Sequence, residues 1–217
     1  MQSLQRLKIG PRLALAFLIP IVLLVANGLM GVQSLNSVHK GLTTVYNDRV
    51  VPLKQLKVIA DAYAVNVIDA VNKANAGLFT AEEALKAVQA ANADIKKEWA
   101  AYMATTLTKE EEKLAREAIK LFEPANRDID KLEAALKALS GKVPGQLNAF
   151  NGPLYDTIDP ISGKITELIE LQLRVAAEVH QASEDTFARA LWLTVALIVV
   201  AVVACIVIGL LISRSIT

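Results

Sequence analysis

Six polar side chains in this chain carry groups suited to holding a small anion: Tyr63, Asn66 and Lys73 in one stretch, Arg127 in a second, Asn151 and Tyr155 in a third. Arginine grips a carboxylate through two parallel N–H donors, lysine supplies a point charge, and amide and phenol groups add orientation. Helical rise alone brings the three stretches to one level. With Gln33 and Arg189 set at a membrane surface, about 1.5 Å per residue puts Tyr63 roughly 45 Å out and Asn66 to Lys73 roughly 50–60 Å out. Phe122 to Lys131 and Phe150 to Asp159 fall in the same band. The pattern predicts a membrane-distal pocket for a small organic anion, such as a dicarboxylate or an amino acid. A plainer alternative keeps Tyr63 in the core with its hydroxyl at the edge, gives the place of Asn66 to Val67, and leaves Arg127 solvated.

No nucleophile elbow, phosphate loop, metal-ligand cluster or paired-carboxylate cleft stands out, so no catalytic residue, cofactor or metal site is expected. His39 and His180 are too few for a zinc site. No run of like charges is long enough to suggest nucleic acid as a partner. Arg49 is a separate oddity, because strict helical stepping puts its charge on an apolar seam about 24 Å from the membrane. A structural role is expected for it, paired with Asp48 or Glu178 or leaning outward.

The elements that must position these residues start from the membrane. Leu191 to Ile212 reads LWLTVALIVVAVVACIVIGLLI, bounded by Arg189 and Arg214. As a helix the uncharged run covers roughly 36 Å, enough for the ~30 Å hydrocarbon core of a bilayer. Leu13 to Val32 supplies a second apolar stretch behind Arg6, Lys8 and Arg12. It is longer than the ~7–15 apolar residues of a cleaved signal, and no clean cleavage site follows. Asn27 within it is expected to face a helix rather than lipid. All 22 acidic residues lie between Gln33 and Arg189. Short flanks carrying only positive charge stay in the cytoplasm, so both ends are expected inside and the acidic middle outside. The resulting domains are 1–12 (cytoplasmic), 13–32 (first transmembrane helix), 33–189 (exterior), 190–212 (second transmembrane helix) and 213–217 (cytoplasmic). The single cysteine, Cys205, lies in the second span, so no disulfide braces the exterior domain.

The exterior domain reads as all-α. Steps of three and four from Leu35 pick out Leu42, Arg49, Leu56, Ile59, Tyr63, Asn66, Ala70 and Lys73 as one helical seam. Asn75-Ala-Gly77 ends that helix. Thr80-Ala-Glu-Glu83 and Thr108-Lys-Glu-Glu111 are capping boxes that open the second and third helices. The third continues through Leu114, Ile119, Phe122, Ile129, Leu132 and Leu136. A fourth begins between Gln146 and Pro153 and runs without Pro or Gly from Lys164 into the second span. The expected fold is an up-down-up-down antiparallel four-helix bundle continuous with two transmembrane helices. Surplus apolar seam on its first and fourth helices predicts a homodimer.

Several stretches resemble the four-helix-bundle sensor half of bacterial chemoreceptors, the methyl-accepting chemotaxis proteins. They are Leu7-Lys-Ile-Gly-Pro-Arg-Leu13, Val45-Tyr-Asn-Asp-Arg-Val-Val-Pro-Leu53, Ile59 to Lys73, Phe150 to Leu154 and Ile169 to Val175. Ile212-Ser-Arg-Ser-Ile-Thr217 resembles the junction into a HAMP relay domain. The resemblance implies a multi-pass protein of the bacterial inner membrane with residues 33–189 in the periplasm, in contact with membrane lipid. Its implied role is ligand sensing, with a helix shift passed through the second span. The long cytoplasmic coiled coil with methylation and kinase-coupling sites is not among these residues. The chain is therefore expected to be a truncated piece that meets a kinase complex only through other domains. Similar modules also sit on histidine kinases and nucleotide cyclases, and a structural bundle with a protein partner is the remaining alternative.

Overall fold

The computed structural model describes residues 9–216. Met1 to Lys8, which carry Arg6 and Lys8 of the basic leader, and Thr217 lie outside the described residues. The chain divides into two compact units, residues 43–177 and residues 9–42 with 178–216.

The larger unit is a four-helix bundle. Its first helix is built from a π-turn at Tyr46–Val50, helix α2 at Val51–Asp61, a second π-turn at Ala62–Val67, and α3 at Ile68–Asn75. Its second and third helices are α4, Ala81–Met103, and α5, Lys109–Lys137. The fourth is the first part of α6, Pro153–Ile216, which both units share. Among the described residues no β-strand forms; Thr80 and Lys142 make one isolated bridge.

Local chemistry sets the ends of these helices. Thr80 and Thr108 each accept from the N–H three residues on, and Glu83 and Glu111 each accept from the threonine N–H in return. Two of the four orphan donors at each start are thus satisfied. After Asn75, Gly77 takes φ +75°, a left-handed conformation that glycine adopts at no steric cost. There Leu78 N–H reaches the Lys73 carbonyl at 2.8 Å and Gly77 N–H reaches Ala74 at 2.9 Å, the paired bonds of a Schellman end.

The core joins Leu56, Ile59, Val88, Ile95, Ile129, Leu132, Ile158 and Ile165. Buried alanines, among them Ala84, Ala91, Ala115 and Ala118, let the helices approach closely. Ile119, expected on the core face, is 39% exposed; neighbouring Ala118 is buried instead. Ion pairs from Lys164 to Glu117 (2.9 Å) and Arg174 to Glu110 (2.7 Å) tie α6 to α5 along their outer edges.

The smaller unit contains nearly all of the N-terminal helix α1, Ile9–Val45, and the last part of α6. Both helices are long and apolar enough to cross a membrane. Their apolar side chains are exposed, Leu24 at 65% and Trp192 at 74%. Asn27 is half-buried in a groove of about 330 Å³ that it lines with Pro20, Leu23, Leu197, Ala201 and Cys205.

Candidate functional site

The second π-turn, Ala62–Val67, contains two of the first-helix candidates, Tyr63 and Asn66. A π-turn bonds i to i+5 and holds one residue more than an α-turn, and beyond it Ala70 and Val71 are both buried. Tyr63 stays in the core, fully buried, but Val67 and Ala74 take the places that regular stepping gives to Asn66 and Lys73. Asn66 is exposed and Lys73 half-buried.

Tyr63 closes an aromatic run. Its ring lies 5.4 Å from Phe122, Phe122 meets Trp99 edge-on at 4.7 Å, and Trp99 lies 5.3 Å from Tyr102. The Tyr63 hydroxyl donates to Asn126 Oδ1 at 2.8 Å. Burial pushes its ionisation well above the ordinary phenol range, and the bond to Asn126 only partly offsets that. Its hydroxyl is already used inside the bundle.

The other candidates sit at or near the surface. Lys73 pairs with Asp69 at 2.6 Å and lies 5.1 Å over the Phe79 ring. Arg127 is exposed on α5, Asn151 is exposed in the turn before α6, and Tyr155 is 40% exposed on the first turn of α6. That turn is well built: Asn75 Oδ1 accepts from Leu147 N–H at 2.9 Å, and Asn75 Nδ2 donates to Asn148 at 2.8 Å. Among the described hydrogen bonds and ion pairs, none joins two of the six candidates. First and third helices lie on the diagonal of such a bundle, so Asn66 and Arg127 leave it from helices that are not neighbours.

Arg49 has a partner that sequence reasoning missed. It is 5% exposed, and Nη1 donates to both carboxylate oxygens of Glu111 at 3.0 Å and to Gln172 Oε1 at 3.1 Å. Neither Asp48 nor Glu178 serves as its counter-ion; the buried carboxylate of α5 does, and Arg49 keeps the core-facing place that the stepping gives it. Glu111 reads in the sequence as a surface cap. Only its position next to the α4–α5 turn, opposite a charged seam residue, could have signalled more.

The larger unit is thus a four-helix bundle, and the smaller unit carries two helices long and apolar enough to cross a membrane. The chain matches, over residues 6–187, the family described as "Four helix bundle sensory module for signal transduction", and it belongs to that family. It is similar to the methyl-accepting chemotaxis protein NahY of Pseudomonas putida, 33% identical over 156 residues that cover 71% of this chain and 28% of the relative. The chain thus spans less than a third of that relative's length. No solved structure matches. The protein is a chemoreceptor-type four-helix-bundle sensory module for signal transduction, with two helices long and apolar enough to cross a membrane.

Proposed function

We propose that this chain is the input half of a chemotaxis receptor in the bacterial inner membrane. On this reading residues 33–189 lie in the periplasm and bind a small organic anion or amino acid. Binding shifts α6, and the shift passes to cytoplasmic domains beyond the chain. The observation that carries the reading is the sensory-family match over residues 6–187, together with one unbroken helix, Pro153–Ile216, shared by the bundle and the apolar unit. The energy for the shift is the difference in ligand affinity between two helix arrangements. Basic flanks at Arg12 and Arg214 support the orientation. Exposed Arg127 on α5, with exposed Asn151 and Tyr155 at the start of the neighbouring α6, supplies guanidinium, amide and phenol groups for a carboxylate. Apolar side chains left exposed on the bundle, Tyr46 (62%), Val50 (46%) and Leu173 (55%), suit a second copy of the chain.

The test is thermal unfolding of the full chain in lipid nanodiscs against a panel of dicarboxylates, aromatic acids and amino acids. A compound at 100 times its dissociation constant adds about 2.7 kcal/mol of stability. Arg127→Ala is expected to abolish that gain, and an unchanged gain removes Arg127 from the site. A panel without any stabilising member overturns the small-ligand reading.

A further inference from the structure

One layer of the bundle is polar in all four helices. Arg49 in the first π-turn, Tyr102 in the last turn of α4, Glu111 in the first turn of α5 and Gln172 in α6 are all buried, at 5, 0, 0 and 0% exposure. Gln172 uses both ends of its amide: Oε1 accepts from Arg49 Nη1 at 3.1 Å, and Nε2 donates to the Glu111 carboxylate. Glu111 in turn accepts from the Thr108 N–H at 2.6 Å, which fixes it to the start of α5.

We propose that this layer is the positioning device of the sensor: Arg49, Glu111 and Gln172 hold α6 in one register, and Tyr102 offers Gln172 its next partner when α6 shifts. The reasoning is directional chemistry. Apolar neighbours of the layer on α6, Ile165 and Leu168, gain contact energy from any close packing. Hydrogen bonds to Gln172 do not tolerate displacement in that way. A slide of one helical turn is about 5.4 Å, which carries a bond of ordinary length well past the ~3.5 Å where it ceases to count. Buried ionic groups of this kind add little stability over apolar side chains of equal volume, and their best-attested use is to specify alignment.

The layer also contains the means of a second register. Two of its polar atoms, Arg49 Nε and the Tyr102 hydroxyl, have no hydrogen-bond partner among the described residues. The Tyr102 hydroxyl lies against the Gln172 amide without closing a well-formed bond. Burial first, then the Glu111 charge, holds that hydroxyl protonated and able to donate, while the Gln172 amide acts the other way. Moving the Gln172 carbonyl from Arg49 to Tyr102 exchanges one hydrogen bond for another.

The proposal rests on the sensor reading in that α6 is the moving part, and its test reads α6 directly. In the full chain carrying Cys205→Ser, cysteines placed at exposed Lys54 and Glu170 are spin-labelled and measured by pulsed electron resonance in nanodiscs. The parent is expected to give one dominant narrow distance. Arg49→Met with Glu111→Leu and Gln172→Leu is expected to broaden or split that distance while melting no lower than the parent. A single narrow distance in a folded triple variant overturns the proposal. Should the triple variant not fold, Gln172→Leu alone decides: a broadened distance supports the layer, and an unchanged one overturns it. The ligand panel is read separately. Stabilisation by a panel member with an unbroadened triple variant sinks the layer alone, and an inert panel with a broadened variant sinks only the ligand reading.

Discussion

Deleting Asn66 tests whether the π-turn at Ala62–Val67 is a one-residue insertion in an otherwise α-helical ladder. Asn66 is exposed, while Tyr63 before it and Val67 after it are fully buried. Without the extra residue the ladder closes as α-helix, and both buried side chains keep the core face, because an α-turn advances about 100° per residue. The expected cost is below about 1 kcal/mol, a shift of about 3–5 °C in a bundle of this size. Deletion of Gln89 is the contrast. It is exposed in α4, which has no π-turn to absorb the loss, so every later residue of that helix turns by about 100°. Ile95 and Tyr102, at 3% and 0% exposure, then leave the core. At about 1.5–3 kcal/mol per large apolar side chain the loss reaches roughly 3–6 kcal/mol, on the order of 10–20 °C. Helical circular dichroism followed with temperature measures both variants in the full chain. If the Asn66 deletion melts as low as the Gln89 deletion, the π-turn is not an insertion and the account of the shifted seam is wrong.

Arg49→Ala or Glu111→Ala strands a buried charge and is expected to cost about 3–5 kcal/mol, whereas joint replacement by Met and Leu recovers most of it in the same melts. Tyr63→Phe removes the hydroxyl bond to Asn126 and is expected to cost about 1 kcal/mol by denaturant titration, with the aromatic run intact. Thr80→Ala breaks a capping box and is expected to cost about 1 kcal/mol, seen also as faster amide exchange in the first turn of α4. The Glu117 carboxyl is held below its ordinary range chiefly by its bond from Lys164, and Glu82 by the N–H groups of its own residue and of Gly141. Both are lowered in the folded state, so their stabilisation is present above the ordinary carboxylate range and is lost as pH falls through the folded values. Lys164→Met is expected to make the melting temperature less steep in acid, and an equally steep profile contradicts the assignment.

Much of the fold is legible in the sequence because its signals are local. Both capping boxes and the Gly77 stop depend on residues within one turn, and each forms where its spacing places it. The seam is legible as far as Tyr63 and again at Ala70, but not at Asn66 and Lys73. A π-turn leaves no composition of its own, and regular stepping gives Asn66 and Lys73 the places that Val67 and Ala74 fill. Ile119 misleads for another reason, since close helix approach on α5 favours Ala118 over a bulkier neighbour. Arg49 is visible as an anomaly, but its partner lies on a helix whose alignment no local rule supplies. The ligand candidates depend most on tertiary placement, which no local signal carries: Tyr63 spends its hydroxyl on Asn126, and Lys73 its charge on Asp69.

Glu111 belongs to two structures of very different span. Its cap with Thr108 bridges 3 residues, and its bond with Arg49 bridges 62. Short loops close sooner and at lower entropic cost than long ones. As the chain folds, the α4–α5 hairpin can therefore aim this carboxylate before the helix bearing Arg49 arrives. Docking then becomes recognition of a preset acceptor, and a hairpin begun at the wrong residue would offer the arginine nothing to find.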